Sequence, residues 1–123
     1  MCAVIGAFLF KPTLEDFKLL KRVIEESSIR GLHATGISFI PYWSKKIQTI
    51  IEAKPAKYFL DVHLHNDNFK QFLNEDGNLY LIGHCRYSTS DLEYNQPIYS
   101  DSISIVHNGV ITQELAENWK ALY

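Results

Sequence analysis

Cys2-Ala3-Val4-Ile5-Gly6-Ala7-Phe8-Leu9-Phe10 is the stretch from which the rest of the chain is read. Its unbroken apolar character, ended by Lys11, predicts a buried β-strand with a cysteine at its head. Removal of Met1 would leave a thiol and a free α-amine on that one residue. An α-amine titrates near pH ~8 and a thiol near ~8.5, so at neutral pH part of the amine is an available base beside a nucleophile. Cys2 can therefore supply both halves of N-terminal nucleophile chemistry, whereas a retained Met1 would acylate the amine and remove the base.

Outward from this strand, Thr13 stands where an N-cap belongs. Glu15 and Asp16 occupy the following turn, and Leu14, Phe17, Leu20 and Ile24 fall at helical spacing, which predicts a helix over 14–27. Arg30-Gly31 reads as its close, with Gly31 in the left-handed conformation. Residues 35–42 and 47–53 flank the polar turn at 44–46 and predict a hairpin. Pro55 starts a short helix through Phe59 and Leu60, and the polar run 65–68 leads to a helical piece over 69–73. Asn74-Glu75-Asp76-Gly77-Asn78 is a turn, because Asp-Gly supplies the positive φ that a tight turn needs. A strand over 79–82 runs into Gly83-His84-Cys85-Arg86-Tyr87-Ser88-Thr89, and 91–100, which contains Pro97, is expected to be loop. Residues 102–107 alternate as a strand, Asn108-Gly109 turns it, Val110-Ile111 continues extended, and Thr112 caps a last helix over 113–122. This order predicts a layered α+β protein.

A chain of 123 residues is long enough for one domain with a modest core and leaves no room for a linker or second domain. With 46% hydrophobic and 21% charged residues, it falls outside the disordered and membrane classes. The formal net charge of −2 and the scattered basic residues lack the footprint of a nucleic-acid binder, so a small molecule or protein is the expected partner. No apolar run approaches the length of a spanning helix, and Met-Cys-Ala lacks a basic leader region, so no membrane association and a cytoplasmic location are expected. There, Cys2 and Cys85 are expected to stay reduced. His63 and His65, near Asp61 and Asp67, lack a metal-site spacing and read as a solvated loop, so neither metal nor cofactor is expected.

Four segments in order carry a resemblance: Cys2 at the head of a strand, Arg30-Gly31-Leu32-His33-Ala34-Thr35-Gly36, Gly83 through Thr89, and His107-Asn108-Gly109-Val110-Ile111. Together they resemble the class II glutamine amidotransferase domain of the N-terminal nucleophile hydrolases, over nearly the whole chain. The resemblance implies a four-layer αββα sandwich and hydrolysis of the glutamine side-chain amide to glutamate and ammonia. It implies Cys2 as nucleophile, with the Asn108 side chain and the Gly109 N–H forming an oxyanion hole. Arg86 would grip the substrate α-carboxylate, Thr89 would line the same pocket with Tyr87 and Ser90, and Arg30 would help organise the site. His84 and His107, on apolar strands, read as hydrogen-bonded structural residues.

Two departures from the family pattern stand out. His33 replaces a common acidic residue, and Ala3 replaces the glycine that usually follows the nucleophile. The family's domain usually continues past the helix that ends this sequence, so the resemblance implies an incomplete sandwich, weak activity alone, and self-association or completion by a partner chain. The alternative reading is a degenerate domain that keeps the pocket as a binding or regulatory module.

Overall fold

Alternation along β1 (Ala3–Leu9) decides how the sheet is covered, because Ala3, Ile5, Ala7 and Leu9 point to one face and Val4, Gly6 and Phe8 to the other. The computed structural model describes residues 2–87 and 95–108. In it β1 pairs antiparallel with β4 (Leu79–Arg86), Ala3 opposite Cys85 and Leu9 opposite Leu79. On its other side β4 pairs with β2 (Ala34–Phe39), which forms an antiparallel hairpin with β3 (Gln48–Glu52), giving the order β1-β4-β2-β3.

This register gathers Ile5, Ile37, Phe39, Leu79, Leu81 and Cys85 on one face. There they meet Phe17, Leu20 and Ile24 of α1 (Leu14–Ser27) and Phe59 and Leu60 of α2 (Ala56–His63) in one core. A capping box holds the start of α1: Thr13 Oγ1 accepts from the Asp16 N–H at 3.3 Å, and the Asp16 carboxylate accepts from the Thr13 N–H at 2.9 Å.

The other face carries segment 95–108, which contains β5 (Ile98–Tyr99) and β6 (Ser104–Ile105), paired antiparallel. The Ser38 and Ser104 hydroxyls are 2.6 Å apart, and Gly36 lies so close under the Gln96 carbonyl and the Pro97 ring that a Cβ there would overlap both. Val4 and Phe8 on the same face are 48% and 68% exposed. The protein is thus α+β, with helices on one side of a four-stranded antiparallel sheet and a two-stranded sheet on the other. No helix among the described residues is long and apolar enough to cross a membrane.

The helix over 14–27 and the Asp-Gly turn, with Gly77 at φ 78°, form where expected. Several expectations are corrected. β2 stops at Phe39 instead of Tyr42, because Pro41 has no N–H to give to a ladder. α2 runs past Leu60 to His63, and a 3₁₀ helix spans Asn66–Phe72, so His63 is not in a loop; its Nε2 lies 2.9 Å from Glu52 Oε1 on β3. The expected loop over 91–100 ends in β5, and the strand over 102–107 is only Ser104–Ile105. Gly31 has φ −156°, not a left-handed value; its need for glycine is a close approach to the Cys85 carbonyl that leaves no room for a Cβ. The extended piece at 110–111 and the helix over 113–122 lie outside the described residues.

Candidate active site

The β1–β4 register fixes the position of the nucleophile candidate. Ala3 faces Cys85, so the preceding residue, Cys2, comes level with Arg86 at the end of β4. The Cys2 thiol donates to the Tyr87 carbonyl at an Sγ–O distance of 3.8 Å. The Ala3 methyl packs against the core on the helix side, away from the face that carries Cys2.

Residues 31–33 wrap around the same strand end. Gly31 packs on the Cys85–Arg86 peptide, the His33 N–H donates to the Arg86 carbonyl at 2.9 Å, and the His33 and Tyr87 rings lie 4.8 Å apart. His33 thus reaches this strand end with its backbone N–H and with its ring against Tyr87.

Segment 95–108 closes the site from the open face. Arg86 Nη1 donates to Asn95 Oδ1 at 3.2 Å, His84 Nε2 lies 3.1 Å from the His107 carbonyl, and the His107 N–H donates to Gln96 Oε1 at 2.6 Å. Asn108, exposed, follows His107 directly.

The two cysteines, both free, have different chemistry. Burial pushes the Cys85 thiol up to about 11, the nearby Cys2 adds to this, and a hydrogen bond with Thr35 partly offsets it. Cys85 thus stays a protonated core thiol, 3.9 Å from the Ile24 carbonyl, while half-buried Cys2 is open to a reactant. Burial also holds His84 below the usual histidine range; the bond to His107 opposes this, and the Arg86 and His107 charges reinforce it. Donation to a carbonyl requires the hydrogen on Nε2, and Nδ1 finds no hydrogen-bond partner among the described residues.

Of the residues singled out from sequence, Cys2, Arg86 and Tyr87 come together, Asn108 joins the segment docked beside them, and Arg30 ends the 3₁₀ turn Ser28–Arg30 just before Gly31. Thr89, Ser90 and Gly109 lie outside the described residues. Asn95 and Gln96 went unnoticed in the sequence reading. The available signal was a pair of amide side chains just before Pro97, in a stretch read as plain loop. Among the described residues, no cluster of three or more His, Cys, Asp or Glu side chains could hold a metal ion.

No family model, curated protein or solved structure matches the chain.

Proposed function

We propose that this chain is a class II glutamine amidotransferase-like domain, built as part or all of a four-layer αββα sandwich, that hydrolyses the side-chain amide of glutamine. The observation that carries this reading is the convergence of Cys2, Arg86 and the His107-Asn108 segment at one end of one sheet. The first of these groups lies far from the others in the chain, Cys2 and Tyr87 being separated by 85 positions. The covering of the sheet by helices on one face and by a short second sheet on the other supports the layered fold.

In this reading the Cys2 sulfur attacks the side-chain carbonyl carbon of glutamine, and its own α-amine, freed by loss of Met1, takes the thiol proton. The negative charge on the carbonyl oxygen is met by the Asn108 side-chain amide and the Gly109 N–H. Collapse breaks the C–N bond, the ammonium returns its proton to the leaving nitrogen, and ammonia departs, leaving a thioester. Water, activated by the same amine, adds to the thioester, the C–S bond breaks, and glutamate leaves with the thiol restored. Arg86 offers paired donors to the α-carboxylate of the substrate, and Asn95 fixes one edge of its guanidinium. The resemblance assigns Tyr87, Thr89 and Ser90 to the substrate pocket and Arg30 to its organisation.

The test is release of glutamate and ammonia from L-glutamine by protein whose mass shows that Met1 is gone. Cys2→Ala should abolish release and Cys85→Ala should not. Equal release from wild type and Cys2→Ala would reject the mechanism.

A further inference from the structure

We infer that His84 is a positioning residue that ties the oxyanion segment to the strand carrying Arg86, an inference that rests on the glutamine-hydrolysis reading. His84 is only 1% exposed and sits on β4 two residues before Arg86. Its Nε2 holds the His107 carbonyl at 3.1 Å, and that carbonyl belongs to the peptide unit leading into Asn108. The neighbouring peptide unit is held as well, since the His107 N–H donates to Gln96 Oε1 at 2.6 Å. Both peptides flanking His107 are therefore fixed by side chains, one from the sheet and one from the segment itself.

The Nε2 contact sharpens the assignment. Nδ1 finds no partner among the described residues, so Nε2 is the ring atom that ties the two segments together. An apolar side chain cannot donate to the His107 carbonyl. An oxyanion donor works by being aimed before charge develops, so a fixed 107–108 peptide is what the proposed role of Asn108 requires. The same β4 segment presents Arg86 to the carboxylate end of the substrate, and His84 thereby couples the two ends of the proposed site.

His84→Gln and His84→Met separate this role from packing, because the two replacements have similar length and only Gln keeps a donor. Met should lower kcat for ammonia release by about 10²-fold, the scale of a misplacement near 1 Å, with KM little changed, and Gln should recover most of that loss. Hydrogen–deuterium exchange of a peptide covering 104–108 should quicken in the Met variant and stay near wild type in the Gln variant. Imidazole ¹⁵N spectra of the wild-type protein should show a neutral His84 with hydrogen on Nε2, a readout that does not depend on either variant folding. Equal behaviour of the Gln and Met variants in kcat and exchange, or a hydrogen on Nδ1, would overturn the assignment. Absence of ammonia from wild type would sink the hydrolysis reading alone, with exchange and tautomer still deciding whether His84 sets the segment.

Discussion

Arg86 shows how much one side chain is asked to do. Its guanidinium donates to Asn95 within the protein, which orients it while leaving donors for a ligand. Arg86→Lys would replace a planar fork by a point charge and lose the Asn95 geometry, so glutamine should bind at least about tenfold more weakly by calorimetric titration; unchanged affinity would remove Arg86 from the pocket. His84 and Cys85, its neighbours on β4, give opposite pH signatures. The folded state resists protonation of His84, chiefly because the ring is buried and also because Arg86 and His107 are the charges beside it, so the unfolded chain binds the extra proton first. Stability should therefore fall as pH drops below the ordinary histidine value of about 6.5. The Cys85 thiol is held up to about 11, so its contribution is full below the free-thiol value of about 8.5 and declines as pH rises toward 11. Denaturant midpoints across pH would read both limbs, and loss of each limb in His84→Gln and Cys85→Ala assigns it. The sequence singles out Cys2 and Arg86 as candidates because the chemistry proposed for them is carried by residue type within spaced motifs. Asn95 was not legible, because an amide that orients an arginine has no local pattern.

At the scale of elements, legibility followed the range of the forces that form them. α1 was readable to the residue because its cap, its acidic first turn and its apolar spacing are all local. The β2–β3 hairpin was readable as a pair, while its end was not, since Pro41 cuts the ladder within an apolar run. β5 was missed because two residues pairing with Ile105 and Ser104 leave no periodic trace. Gly31 was recognised as special for the wrong reason, as close approach between distant backbones cannot be seen in one segment. The docking of 95–108 depends on another such approach. Gly36→Ala would drive a Cβ into the Gln96 carbonyl and the Pro97 ring, and overpacking of this kind costs about 1–3 kcal/mol. Faster hydrogen exchange should be confined to 95–108 while α1 keeps its protection; a uniform loss, or none, would contradict the packing of this segment on Gly36.

For the whole molecule, the sheet has two different tasks. One face builds the core with α1 and α2, and the other bears the polar contacts that gather Cys2, Arg86 and His107-Asn108. The layered α+β arrangement was legible from the order of strands and helices, whereas which strands adjoin depends on pairings such as β1 with β4 that span most of the chain. That pairing also puts two thiols of different exposure near one strand end, which allows an internal control. The most direct measurement is peptide-resolved mass spectrometry after treatment with a diazoketone analogue of L-glutamine. Hydrolysis at Cys2 predicts one adduct on the peptide beginning at Cys2, slowed by excess L-glutamine, with Cys85 unmodified because its thiol is buried and protonated. An adduct on Cys85 instead, or labelling of Cys2 at a rate indifferent to glutamine, would contradict a glutamine site built around this cysteine.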